Sequence, residues 1–155
     1  MAWHTRMLLL GVPAATRLAA RWAREEERRI LRQGAALTPG QIADARAAGV
    51  RAPERVRVLR MACVPIPYPK LSRLAGYVAQ DTLGMALGHG IFIHERYWKN
   101  RLLWVHELVH VAQYERLGGM RPFLREYLRE CVSDGYGFGP LEQEAMEVSR
   151  RICGK

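Results

Sequence analysis

The chain has 155 residues, 49% of them hydrophobic, which is enough for one domain with its own core. No stretch offers about twenty uninterrupted apolar residues, so no membrane-crossing helix is expected. Cys63, Cys131 and Cys153 form an odd set without Cys-x-x-Cys spacing, which argues against a disulfide framework. A reducing, cytoplasmic location is expected, with a secreted or periplasmic one as the alternative.

The net charge of +9 is uneven: residues 1–60 hold twelve arginines against five acids, whereas the remainder holds twelve basic residues against ten acids. Such a surplus can mark contact with nucleic acid or an anionic membrane. Glu25, Glu26 and Glu27 interrupt the arginine run at 17–32, however, which favours an ion-paired, solvated helix face.

In chain order, residues 7–15 are the nearest thing to a targeting segment, but Gly11 and Pro13 break the run; a buried or fraying turn is expected there. Residues 14–33 predict a helix with Leu18, Trp22, Ile30 and Leu31 inward and Gly34 as its stop. Thr38-Pro39-Gly40-Gln41 reads as a capping box, with Leu37 and Ile42 as a hydrophobic staple, opening a short helix that ends near Gly49. Residues 55–61 alternate around Val56 and Val58 and predict a strand. Residues 65–69, with three prolines, predict an extended segment that wraps the domain or walls a groove. In residues 88–94 a further strand is expected, with Ile91 and Ile93 on one face and Phe92 and His94 on the other. His89 and His94 are expected at the surface.

A helix over about 97–117, stopped by Gly118-Gly119, carries His106-Glu107-Leu108-Val109-His110. Histidines four residues apart lie about 40° apart around a helix, so both imidazoles reach one metal ion. Glu107 projects about 100° from His106, within reach of a water at that ion without ligating it. This is the arrangement hydrolysis needs: a polarised carbonyl, an acidified water and a carboxylate base. Between Leu102 and Ala112 no other charge occurs, and a lone buried carboxylate is costly unless compensated.

Catalytic zinc takes three protein ligands and leaves a position for water. The other histidines, His4, His89 and His94, all precede the motif, so a ligand from the C-terminal part must be a carboxylate: Glu115, Glu126, Glu130, Asp134, Glu142, Glu144 or Glu147. Pro122 opens a packing helix with Phe123, Leu124, Tyr127 and Leu128. Residues 135–139 form a glycine-rich loop, and Pro140 suits the first turn of a last helix with Leu141, Ala145 and Val148 inward. Glu142 and Glu144 lie two residues apart, so only one of them can face the metal. Tyr136, in the loop, is placed to stabilise an oxyanion, with Tyr127 and His94 as rivals.

These motifs resemble the gluzincin class of zinc peptidases, in which a second helix supplies a glutamate. Phased on Ala145, the resemblance implies Glu142 as third ligand, with Glu144 or Asp134 as substitutes. Met146 stands where the class often has an aspartate that supports a ligand histidine. The chain is most similar to short bacterial proteins patterned HELxHxxQYxRLG, FLxxYL, GY and PxExEA, here at residues 106–118, 123–128, 135–136 and 140–145. The resemblance implies zinc, a peptide or protein substrate, and a strand before the motif that rims the cleft and pairs with an extended substrate. Glycines at 88 and 90 would admit a substrate backbone.

The expected architecture is therefore α+β: a single, mostly helical, zincin-like domain over 1–155, with a helical portion at 1–50 and the sheet, motif helix and glutamate helix at 55–155. The expected function is zinc-dependent peptide hydrolysis by His106, His110 and Glu142 with Glu107 as general base. The alternatives are a silent zinc-stabilised binding module of a secretion or toxin system, and a polyanion-binding protein.

Overall fold

A computed structural model describes residues 3–67, 82–135 and 137–154. Tyr136 and the end of the proline-rich segment, Tyr68 and Pro69, lie outside the described residues. The fold is α+β and mostly helical, with five helices and a four-stranded sheet among the described residues.

Helix α1 spans Trp3–Gln33, eleven residues more at its start than expected. Pro13 removes one intrahelical donor, but that local cost does not stop helix on either side of it. Its buried side follows Ala20, Ala23 and Ile30, and alanines let a helix backbone approach its neighbours closely. Leu18 and Leu31, expected inward, are 50% and 39% exposed because they are rotated off that stripe. The Gly34 amide bonds the Ile30 carbonyl at 2.7 Å and the chain passes straight into strand β1, Ala35–Ala36.

Helix α2, Pro39–Ala47, starts on the expected capping box: Thr38 N donates to Gln41 Oε1 at 2.9 Å and Gln41 N to Thr38 Oγ1 at 3.4 Å. Pro53 opens a short 3-10 turn, so strand β2 begins at Arg57 and runs to Met61. Strands β3, Gly84–Leu87, and β4, Gly90–His94, form a hairpin turning at Gly88, whose φ is +65°.

The sheet order is β1-β2-β4-β3, with β2 and β4 parallel and both other pairs antiparallel. The strand expected to rim a cleft, β4, is therefore interior, hydrogen-bonded on both sides, and cannot accept a further strand. Nor do its glycines face a substrate: a Cβ on Gly88 would strike the Glu27 carboxylate, and one on Gly90 would strike Ile30. Among the described residues the edge strands are β1 and β3, and β3, beside β4, is a strand the sequence did not reveal.

Each face of the sheet has its own core. Val58, Ile91 and Ile93 pack with Trp104, Leu108 and Val111 on one side; Phe92 and Leu87 pack with Ala20, Ala23 and Ile30 on the other. The alternation in β4 is as predicted, but both faces are covered. Within residues 1–50, α1 supplies one cover of the sheet.

Helix α3, Arg101–Leu117, is capped by the Asn100 carboxamide, which accepts from Leu103 N at 3.2 Å. It starts four residues later than expected because Glu95–Tyr97 makes its own 3-10 turn, with the His94 ring accepting from Arg96 N. Gly118 and Gly119, at φ +88° and +119°, turn the chain so that α4 begins at Met120 and continues to Ser133, taking in Pro122. Helix α5 runs Pro140–Cys153, with Leu141, Ala145 and Ser149 buried; Val148 is only partly covered. No helix among the described residues is long and apolar enough to cross a membrane.

Candidate metal centre

Helix α3 packs along α5, and this contact brings His106, His110 and Glu142 together although 32 residues separate His110 from Glu142 in the chain. Each offers one ligand atom, and all of these atoms lie within 4.8 Å of one another. His106 Nε2 is 3.1 Å from His110 Nε2; Glu142 Oε2 is 3.2 Å from His106 Nε2 and Oε1 is 3.5 Å from His110 Nε2. Tetrahedral ligands about 2.0–2.1 Å from zinc stand about 3.3 Å apart, so the spacing suits one small cation. Two imidazoles and one carboxylate are also a donor set that zinc favours.

The electrostatics agree with that geometry. Burial would raise the Glu142 carboxyl's proton affinity, but the two imidazoles outweigh it and hold this group far below the ordinary carboxylate range. Burial would lower His110, yet Glu142 carries it up to about 9. The same cluster of negative charge and paired nitrogens would be compensated by a divalent cation in place of protons.

Gln113, wholly buried one turn beyond His110, sets that ring. Its Nε2 donates to the Leu141 carbonyl at 2.8 Å and to Glu144 Oε2 at 2.9 Å, which leaves Oε1 to accept from His110 Nδ1 at 2.8 Å. Nδ1 therefore carries the proton and Nε2 faces the other candidate ligands. Arg116 in turn clamps Glu144 with two bonds of 2.7 Å. Support thus comes from Gln113, not from position 146, where Met146 lines the cleft. Sequence reasoning missed Gln113, although its position three residues after His110 puts it on the same helix face.

Three of the competing carboxylates are engaged elsewhere. Glu144 is turned to Gln113 and Arg116, Asp134 accepts from Ser133 Oγ at 2.7 Å, and Glu130 caps α5 by accepting from Leu141 N at 2.9 Å.

Glu107 is 4% exposed and lies against strand β3, close to Gly84 and to the Ala86 backbone, which favours its charged form. Burial raises its proton affinity, partly offset by His106 and His110. A Cβ on Gly84 would come within 2.6 Å of Glu107 Oε1, so glycine there makes room for this carboxylate.

A cleft of about 560 Å³ runs past these groups between β3, α1, α4 and α5, lined mainly by apolar side chains such as Trp22, Met85, Leu103 and Leu124. Tyr127 lines it and donates to Glu142 Oε1 at 2.8 Å. His94 caps the turn after β4 and does not line the cleft, and Tyr136 lies outside the described residues.

His89, expected at the surface, is 5% exposed and bonds Glu115 Oε1 through Nε2 at 2.9 Å, because the hairpin tip is folded inward between α1 and α3. Cys63, Cys131 and Cys153 are free thiols. The arginine run makes two of the expected ion pairs, Arg21–Glu25 and Arg29–Glu26, while Glu27 is drawn to the His89 amide. Comparison with family models, curated proteins and solved structures finds no match for the chain.

Proposed function

We propose that the protein is a metal-dependent hydrolase of peptide bonds, zincin-like in design, in which His106, His110 and Glu142 hold zinc and Glu107 is the general base. The observation that carries this reading is the convergence of His106 Nε2, His110 Nε2 and the Glu142 carboxylate at 3.1–3.5 Å in a cleft that also contains Glu107. The resemblance of the two helix patterns to gluzincins supports it.

Zinc bound there would supply Lewis acidity that polarises a carbonyl and acidifies water. The chain's own residues do the rest. Burial raises the proton affinity of Glu107, a shift in the direction that suits a group that must take a proton from water and return it to a leaving amine. The glycine at 84 leaves room for that carboxylate against β3. Gln113 keeps the His110 proton on Nδ1, and the Tyr127 hydroxyl steadies Glu142. The apolar lining excludes water from around the scissile bond and favours extended, apolar peptide segments.

The test is metal analysis joined to turnover. Purified protein equilibrated with zinc should retain one ion per chain and cut peptides. Glu107→Gln should retain the ion while hydrolysis falls about 10²–10⁴-fold. Normal cleavage by that variant would sink the proposal, as would wild-type protein that binds no metal. Metal without turnover would leave a silent zinc-stabilised module.

A further inference from the structure

The charged residues lining the cleft form two unequal groups. His106, Glu107, His110 and Glu142 stand together, and Arg150 is the only other charged side chain among the described lining residues. Arg150 shares α5 with Glu142, two turns further on, and Met146 lies between them on the same face. Eight residues of helix span about 12 Å, and helical side chains lean towards the N-terminus, here towards Glu142.

Arg150 is exposed at the cleft rim, and no carboxylate among the described residues forms an ion pair with it. The acid facing inward on the same helix, Glu142, is engaged by both histidines, and Glu144 is engaged by Arg116. Along α5, between Glu142 and Arg150, the cleft wall carries apolar Met146. The start of α3 and the end of α5 lie together, Arg101 being close enough to Cys153 for their charges to interact. Asn100 and Leu103 therefore border the same end of the cleft as Arg150, the only arginine or lysine among its described lining residues. A guanidinium fork so placed is complementary to a carboxylate, which it can bind through two parallel hydrogen bonds.

We propose that Arg150 anchors a carboxylate of the substrate. The favoured peptides then carry an anionic group about three to four residues from the bond that is cut, the span of about 12 Å of extended chain, with apolar residues between. This rests on the hydrolase reading above. The carboxylate can come from a C-terminus or from an aspartate or glutamate side chain, and the chemistry at Arg150 is the same.

Two measurements test it on the full chain loaded with zinc. Calorimetric titration of Glu107→Gln uses apolar peptides that differ only in charge: a free or amidated C-terminus, and an internal glutamate or glutamine. The anionic member of at least one pair should bind about tenfold or more tightly than its neutral counterpart, and the pair that discriminates identifies the source of the carboxylate. Adding Arg150→Gln should abolish the difference and leave neutral peptides unchanged. With the wild-type base, Arg150→Gln should raise KM for the anionic peptide with little change in kcat. Arg150→Glu should invert the preference towards lysine-bearing peptides.

Equal binding within every pair, including no binding, overturns the anchor, as does an equal loss for charged and neutral peptides in Arg150→Gln. Charge-selective binding without cleavage by the wild type keeps the anchor and removes the hydrolase reading. Cleavage without charge selectivity does the reverse.

Discussion

Helix α3 takes part in two buried histidine–glutamate contacts, His110–Glu142 near its middle and His89–Glu115 near its end. In the second, Glu115 is saturated: besides His89 it accepts from Arg51 N at 2.6 Å and Ala52 N at 3.3 Å. That carboxylate ties the β3–β4 hairpin and the loop after α2 to α3, and it lines neither cavity found beside α3. In the first, one carboxylate faces two imidazole nitrogens, a buried acid stands beside them and the group opens onto a cleft. Proximity of histidine to glutamate is therefore a poor sign of metal chemistry. Convergence of two imidazoles on a carboxylate whose backbone neighbours leave it free is a better one.

The strongest way to break this comparison is to remove one carboxylate from each cluster. Glu142→Ala should lower zinc affinity by more than about 100-fold, the upper range for losing a mere supporting hydrogen bond. Equilibrium dialysis against zinc gives the number, and unchanged affinity would erase the distinction between the clusters. Gln113→Leu should cost about 10–100-fold in the same assay, since His110 loses the partner that orients it. The folding transition of the same samples separates that effect from simple unfolding.

Glu115→Ala should leave zinc affinity unaltered but destabilise the fold by about 1–3 kcal/mol, because the Arg51 and Ala52 amides and His89 lose their acceptor. Urea titration at neutral pH reads it. The smallest effect is its pH dependence. Burial would raise Glu115, but the two amides and His89 prevail and hold it below its ordinary value of 4.5. A carboxyl depressed by folding stabilises the protein above the unfolded value and loses that contribution as the pH falls through the folded one. The stability gap between wild type and Glu115→Ala should therefore be constant above about pH 5 and close progressively below 4.5. A gap that persists at pH 3 would mean that the carboxylate's charge is not what the amides stabilise.

Legibility differed sharply along the chain. The Thr38–Gln41 box, the stop at Gly34, the α5 start at Pro140 and the shared face of His106 and His110 were all readable, since each depends on contacts within one turn. Strand β3 was not, because Gly84-Met85-Ala86-Leu87 is four residues long and has no polar–apolar alternation. Missing it transferred the cleft-side edge to β4, whose neighbouring glycines serve packing against α1. His89 was misplaced for a related reason: a histidine in a two-residue turn looks exposed until helices close over it.

Local spacing was sufficient for two metal-ligand candidates and the candidate general base, because helix geometry alone decides which side chains share a turn. It narrowed the third ligand to a set of acids and could go no further without the resemblance to other chains. The packing of α3 along α5 turns Glu142 to the histidines and Glu144 to Arg116, although the two differ by only two positions. It also determines that His89 meets Glu115, that Glu107 lies against β3 and that Arg150 lines the cleft without an ion-pair partner among the described residues. Those outcomes depend on which distant surfaces meet, and burial of apolar faces, not residue spacing, selects them.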